Sequence, residues 1–161
     1  MSSPIVEVTN TIILKSIIKM LSDTFGDNYK YYDEVILQNF KRPCFHVQRI
    51  TLISEVKTDN DYCRIYGNTY RYAITYFTKE ETNKIEDINN ITDKLLQLFT
   101  YVNIVNFKGD DETVSYKKVL DRNINVVDGT LVFDFKFRML LTEEKSPQLM
   151  KKHTLIKEIK E

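Results

Sequence analysis

One stretch of the sequence decides the fold class, Asn123-Ile-Asn-Val-Val-Asp-Gly-Thr-Leu-Val-Phe-Asp-Phe-Lys-Phe-Arg-Met-Leu-Leu141. The dipeptide Asp128-Gly129 lies between Asn123–Val127 and Thr130–Leu141 and is typical of the two-residue turn of a β-hairpin. Beyond it, apolar residues occupy every second position, at Leu131, Phe133, Phe135, Phe137, Met139 and Leu141. This alternation predicts a strand with one face in the core and the other in solvent.

The residues before this hairpin predict two strands around a helix. Cys63 to Thr78 is a long strand with Tyr66, Tyr70, Tyr72, Ile74 and Tyr76 on one face. A helix follows to about Thr100, capped by Thr78 in a Thr-x-x-Glu spacing or by Thr82. Its apolar stripe consists of Ile85, Ile88, Ile91, Leu95 and Leu98 or Phe99. Tyr101–Phe107 is then a short strand.

The N-terminal third predicts a helix and two more strands. Apolar residues at helical spacing run from a cap at Thr9 or Asn10 to Gly26, which suits the end of a helix. Tyr29–Val35 is a short strand, and Cys44 to about Glu55 is a second one. The second strand mixes apolar residues on both faces, so we expect helices or a neighbouring subunit to cover both.

These elements predict an α+β fold, a mainly antiparallel sheet with two helices packed on one face. We expect one domain over residues 1–145 and a C-terminal tail over residues 146–161. Ser146-Pro147 suits the first turn of a short helix in that tail.

Charge and hydropathy argue against nucleic acid and membranes as partners. The 161 residues include 23 basic and 23 acidic side chains, a formal net charge of zero. Affinity for nucleic acid comes largely from neutralised phosphates, so this balance argues against DNA or RNA as the main partner. The longest apolar runs fall short of the roughly 20 residues that span a bilayer, and no signal peptide is recognised. We therefore expect a protein made in the cytoplasm, without a membrane partner and with Cys44 and Cys63 as free thiols.

Side chains suited to catalysis or metal binding are few. Cys44, Cys63, His46 and His153 are the soft metal ligands, and no pair has the close spacing of a zinc site. The four glycines are isolated, so no phosphate-binding loop is present. We expect no catalytic, cofactor-binding or metal-binding residue and no cofactor. The tyrosines of the 63–78 strand offer rings for stacking bases, the basis of an alternative as a small nucleic-acid-binding module.

Three segments of the sequence together form a recognisable pattern. They are Tyr31-Tyr-Asp-Glu-Val35 followed by Arg42-Pro-Cys-Phe-His-Val47, then Tyr70-Arg-Tyr-Ala-Ile-Thr-Tyr-Phe77, and finally Val127-Asp-Gly-Thr-Leu-Val-Phe133. Their order and spacing resemble the tail terminator family of phages and prophages of low-GC Gram-positive bacteria over about Ile12 to Leu141. The resemblance implies a structural virion protein with an α/β sandwich fold, made in the host bacterium and located at the head-proximal end of the tail.

The resemblance also implies the partners. Terminators form a hexameric ring on the tail tube, stop its polymerisation and present a surface for joining the head. Ring contacts join the sheet of one subunit to the helices of the next. The remaining partners are the tail tube protein, a tail sheath and the head–tail connector or neck proteins. The nearest alternative is another connector or tail completion subunit, and an enzyme is the third.

Loops on a rigid sheet often provide recognition, so we expect two polar connections to contact the tube. The first is Lys57, Thr58, Asp59, Asn60, Asp61 and Tyr62. The second is Lys108, Gly109, Asp110, Asp111, Glu112 and Thr113. Leu149, His153 and Ile156 fall on one side of the predicted tail helix, which we expect to dock on a sheath, a connector or a neighbouring subunit.

Overall fold

The computed structural model describes residues 8–33, 39–79, 84–108 and 111–145. The elements are α1 Asn10–Phe25, β1 Lys30–Tyr32, β2 Cys44–Asp59, β3 Cys63–Phe77, α2 Lys84–Leu98, β4 Tyr101–Lys108, β5 Asp111–Val127 and β6 Thr130–Glu144. The described strands form one six-stranded sheet in the order β1-β2-β3-β6-β5-β4. β1 runs parallel to β2, and β5 runs antiparallel to both β4 and β6. The predicted α+β class is confirmed.

The chain divides into two compact units. The main unit contains Val8–Leu52 and Thr69–Arg138, which include both helices. The small unit contains Ile53–Asn68 and, of the described residues, 139–145. Because β2, β3 and β6 are long, each contributes residues to both units.

The hairpin of β5 and β6 forms as its sequence predicts. Asp128 and Gly129 have φ values of 51° and 71°, so both central residues of the turn are left-handed. Asp and Gly tolerate this conformation, and its twist matches that of the flanking strands. Val127 pairs with Thr130, and the register continues as far as Val119 opposite Phe137.

Helix α1 begins and ends where the sequence places its caps. The Thr9 hydroxyl accepts a hydrogen bond from the Ile12 amide at 3.3 Å, satisfying a donor that the first turn leaves unpaired. At the other end Gly26 adopts φ +82°, and its amide donates to the Ser22 carbonyl. The buried face of the helix consists of Ile13, Leu14, Ser16, Ile17, Met20 and Leu21.

Both helices lie on the same face of the sheet. The Tyr72 hydroxyl donates to Asn10 of α1 at 2.7 Å. The Tyr76 hydroxyl donates to Asp87 of α2, also at 2.7 Å. Residues four apart on a strand share a face, so α1 and α2 cover one side. The predicted placement of the two helices is therefore confirmed.

The core of the main unit is aromatic. The rings of Phe133, Phe135 and Phe137 are fully buried along β6. Phe99 stacks on Phe135 at 4.8 Å between centroids, and Tyr70 stacks on Phe137 at 5.3 Å. Close ring pairs of this kind add to the free energy gained from burying their area.

Helix α1 also covers the outer edge of β4. The Val105 amide donates to the Ser16 hydroxyl at 3.0 Å, and the Asn103 amide approaches the Met20 sulfur at 3.5 Å. Both amides belong to the last strand in the sheet order and would otherwise lack a partner. These contacts block the edge of β4, which would otherwise be open to pairing with another strand.

The predicted loops are wrong in part. Lys57, Thr58 and Asp59 belong to β2, so only Asn60–Tyr62 connect β2 to β3. Lys108 ends β4 opposite Asp111 of β5, Glu112 pairs with Phe107 and Thr113 with Asn106. Gly109 and Asp110 lie outside the described residues. A strand with both faces in solvent can also consist of polar residues, so polarity alone did not distinguish these strand ends from loops.

A further expectation, on the apolar stripe of α2, is corrected. Ile85 is exposed, so the buried stripe of α2 begins one turn later, at Ile88, and continues through Ile91 and Leu95. β2 is buried only at Cys44, Phe45 and Val47, whereas every residue from Gln48 to Asp59 is exposed. Cover of this strand by a neighbouring subunit, the other possibility that its apolar pattern allows, stays a prediction.

Candidate assembly surface

The connection between β2 and β3 is a tight, self-bonded turn. The Asn60 side-chain oxygen accepts hydrogen bonds from the amides of Tyr62 and Cys63, both at 2.9 Å. The Asn60 amide in turn donates to the Cys63 carbonyl at 3.0 Å. Asn favours such turns because its side chain can replace a backbone acceptor. The ring of Tyr62 is 69% exposed at this turn.

Ion pairs tie this turn to the end of β6. Asp59 accepts from Lys145 at 2.7 Å and from Arg64 at 3.2 Å. The Lys145 amide also donates to the Tyr62 carbonyl at 3.0 Å. Hydrogen bonds from Lys145 and Arg64 hold the pKa of Asp59 below its usual value, so this carboxylate is charged at neutral pH.

A second pair of contacts orders the rest of the small unit. The Tyr66 hydroxyl donates to Glu143 of β6 at 3.0 Å. Within β2, Lys57 pairs with Glu55 at 2.6 Å. These contacts hold the charged side chains while the apolar side chains of Ile53, Val56 and Leu140 are exposed. The unit therefore presents an ordered surface of mixed charged and apolar character.

An ion network lies on the face of the main unit opposite the helices. Arg71 of β3 pairs with Asp121 at 3.1 Å and with Asp134 at closer range. Asn123 also donates to Asp134. Sequence analysis did not single out these residues. The alternation of β3 and β6 places Arg71 and Asp134 on the outward face of the sheet. No local pattern indicates that they pair, because they lie 63 residues apart in sequence.

The same face exposes apolar side chains of β5. Tyr116 pairs with Asn103, next to buried Val102 and Ile104, so it points away from the helices. Val114 lies two residues away on the same face and is also exposed. Apolar exposure of this kind on one face is typical of a surface that contacts another protein.

A groove lies between α1 and β4. Its volume is about 240 Å³, and it is lined by Ile12, Lys15, Ser16, Lys19, Val105 and Asn106. The volume is small for a ligand pocket, since these usually hold at least about 300 Å³. Lys15 and Lys19 give the groove a basic rim over an apolar floor. The Ser16 hydroxyl in this groove donates to the Ile12 carbonyl and accepts from the Val105 amide, so both of its contacts are to the backbone.

The side chains considered for chemistry are not brought together. Cys44 is fully buried, and burial raises the pKa of its thiol to about 11, so it stays protonated. Among the described residues, no three His, Cys, Asp or Glu side chains converge to hold a metal ion. Tyr70, Tyr72 and Tyr76 are buried against the helices, so they offer no exposed rings for stacking bases. Neither described helix is long and apolar enough to cross a membrane.

The fold thus brings only some of the predicted contact residues together. Lys57–Tyr62 form the exposed end of the small unit. The backbone of Lys108 and Asp111–Thr113 continues the β4–β5 pairing in the main unit. Leu149, His153 and Ile156 lie outside the described residues, so the docking of the tail and the boundary at residue 145 stay predictions.

The fold and its surfaces define a small α+β protein whose exposed apolar strands suit assembly with other subunits. A family model described as phage tail terminator protein matches residues 12–148, most of the chain. The chain belongs to the phage tail terminator family. This family is structural and places the chain among phage tail proteins. A comparison with curated proteins finds no match.

Proposed function

We propose that six copies of this chain form a ring that caps the head-proximal end of the tail tube. The ring stops tube polymerisation and provides the surface that joins the head. The observation that carries this proposal is the family match over residues 12–148. We further propose that the subunit is made in the cytoplasm of the host bacterium and functions in the virion tail without enzymatic activity.

A six-membered ring needs two different surfaces that fit each other, because each subunit contacts the next head to tail. The main unit offers two candidates. One is the helix-free face with exposed Tyr116 and Val114, and the other is the helix side, where Ile85 of α2 is 77% exposed. We propose that the sheet face of one subunit packs against the helices of the next.

Contact with the tube is proposed for the turn Asn60–Tyr62, the adjoining Lys57–Asp59 and the β4–β5 connection of residues 108–113. The first of these has the stronger support, because Tyr62 exposes its ring on a turn that Asn60 and the Asp59 ion pairs hold in place. Rigid aromatic side chains contribute strongly to protein interfaces at low cost in entropy. The tail residues Leu149, His153 and Ile156 are proposed to dock on a sheath, a connector or a neighbouring subunit.

The proposal is tested by binding to preformed tubes of the matching tube protein, followed by electron microscopy of tube ends. We expect wild-type protein to add a ring at one end. Tyr62→Ala should lower the occupancy of tube ends about tenfold, because an aromatic contact at the centre of an interface is worth at least ~1.4 kcal/mol. Tyr62→Phe is the matched control, since it keeps the exposed ring at the same position and removes only the hydroxyl.

Wild-type protein that leaves both tube ends bare would contradict the capping function and favour the connector alternative. Rings that bind equally well with Tyr62→Ala and Tyr62→Phe would retain the capping function and remove the tube contact from the β2–β3 turn.

A further inference from the structure

The two edges of the sheet differ in how the described residues cover their backbone groups. At one edge, the amides of Asn103 and Val105 are covered by Met20 and Ser16 of α1. At the other edge, the described residues of β1 pair only with Cys44–His46 of β2. In the small unit, β2 runs from Ile53 to Asp59 with every residue exposed.

An exposed strand of this kind is a template for pairing with another strand, and proteins usually protect it with proline or with charged side chains such as lysine. Ile53–Asp59 contains no proline, and the charge of its Lys57 is balanced by Glu55 at 2.6 Å, so a second strand does not meet a single-sign charge. Ile53 and Val56 are 57% and 56% exposed, one on each face of the strand. The segment is suited to pairing.

The sequence of this segment is complementary to itself. In an antiparallel pair of Ile53-Ser-Glu-Val-Lys-Thr-Asp59 with a second copy, centred on Val56, each Glu55 lies opposite Lys57 of the second copy. Val56 then lies opposite Val56, and Ser54 lies opposite Thr58. Directly opposite pairs have their Cβ atoms about 4.5–5.5 Å apart, close enough for both ion pairs to form.

The charges also select this register. Moving the centre of symmetry to Glu55 places the two Glu55 side chains opposite each other. Moving it to Lys57 places the two Lys57 side chains opposite each other and Glu55 opposite Asp59. Like charges in opposite positions destabilise a strand pair. The two nearest registers that keep the same side chains on each face of the strand are therefore both disfavoured.

We propose that two copies of the free chain pair antiparallel through Ile53–Asp59 of β2, centred on Val56, to form a symmetric dimer. The pairing itself does not depend on the capping function. Its consequence rests on the proposed function, because Lys57–Asp59 are part of the proposed tube contact. A subunit paired in this way cannot offer that strand to the tube, so the dimer must separate before capping.

The test uses the full chain alone and measures mass by sedimentation. We expect wild-type protein to reach twice the 19.1 kDa chain mass in a concentration-dependent way. Glu55→Lys and Lys57→Glu each turn both cross-strand ion pairs into repulsive pairs, so each should raise the dissociation constant about tenfold or more. Mixed in equal amounts, these two variants should form a heterodimer, because one strand then carries two lysines at the paired positions and the other carries two glutamates.

A cysteine at the symmetry centre tests the register independently. In a Cys63→Ser background, Val56→Cys should form a disulfide-linked dimer on mild oxidation, whereas Ser54→Cys should not. In the proposed pair the two Ser54 positions are offset by four residues, about 13 Å, which is too far for a disulfide. Cys44 does not interfere, since its thiol is buried with a raised pKa.

A wild-type chain that stays monomeric at about 100 μM would overturn the proposal. So would variants that associate as the wild type does, or a mixture of Glu55→Lys and Lys57→Glu that stays monomeric. Circular dichroism of each variant separates these results from misfolding. Since no tube protein is present, these outcomes leave the capping function to its own test.

Discussion

Asp87 should be a main determinant of how α2 is held to the sheet. Its carboxylate accepts hydrogen bonds from the Tyr76 hydroxyl at 2.7 Å and the Thr78 hydroxyl at 2.6 Å. Both donors are buried, with Tyr76 1% and Thr78 5% exposed. Burial and the neighbouring carboxylate raise the pKa of Tyr76, so its hydroxyl stays protonated and donates. The contact links β3 to the first turn of α2.

Replacing Asp87 by Ala leaves both hydroxyls without their charged acceptor. A buried donor that loses its partner costs about 1–3 kcal/mol. Allowing for partial rescue by rotation of the hydroxyls, we expect the free energy of unfolding to fall by about 3 kcal/mol. For a chain of this length that corresponds to a decrease of roughly 6–12 °C in Tm. Asp93→Ala, at an exposed position of the same helix, should change the free energy by less than about 0.5 kcal/mol.

A double-mutant cycle in urea, followed by circular dichroism, separates this hydrogen bond from other effects. Tyr76→Phe removes one of the two donors, so Asp87→Ala should cost about 1–2 kcal/mol less in the Tyr76→Phe background than in the wild type. Strictly additive costs, or an Asp87→Ala variant as stable as Asp93→Ala, would refute this account of how α2 is attached.

Three further predictions concern individual side chains. Ser16→Ala should speed hydrogen exchange at the Val105 amide about tenfold, because this amide at the edge of β4 loses its acceptor. Ser22→Ala is the control and should leave that rate unchanged. Equal exchange rates in the wild type and both variants would contradict protection of the edge by α1. Since the pKa of Asp59 is lowered in the folded state, its ion pairs should stabilise the fold above the usual aspartate value of 3.8, and this contribution is lost as pH falls through the lowered value. The difference in urea midpoint between wild type and Asp59→Asn should therefore shrink as the pH falls below 3.8, and a difference that stays constant from neutral to acidic pH would disprove it. A thiol reagent at about pH 8 should label Cys63 in the native protein and Cys44 only after unfolding, with two labels on native protein as the contrary result.

Local signals in the sequence predicted much of the fold. The Asp128-Gly129 turn and the caps of α1 depend on residues within a few positions of each other, and each formed as expected. The alternation of β6 predicted its buried face because one residue in two meets the helices. The family resemblance, based on short segments in a fixed order, is confirmed by the family match.

Features that depend on distant residues or on solvated strands were not predictable in the same way. The sequence predicts a strand only over Asn123–Val127, whereas β5 begins at Asp111, because polar residues interrupt the apolar alternation in its first half. The bond between Ser16 and Val105 joins residues 89 apart, so no local pattern reveals the covered edge of β4. Likewise, Lys57–Asp59 look like a polar connection in sequence but extend β2.

The central claim is that this chain limits the growth of a tail tube. Purified tube protein should be polymerised with and without the chain, and the lengths of tubes measured by electron microscopy. The account predicts shorter tubes, each with a ring of six subunits at one end, in proportion to the amount of chain added. Tubes of unchanged length with both ends bare would contradict it.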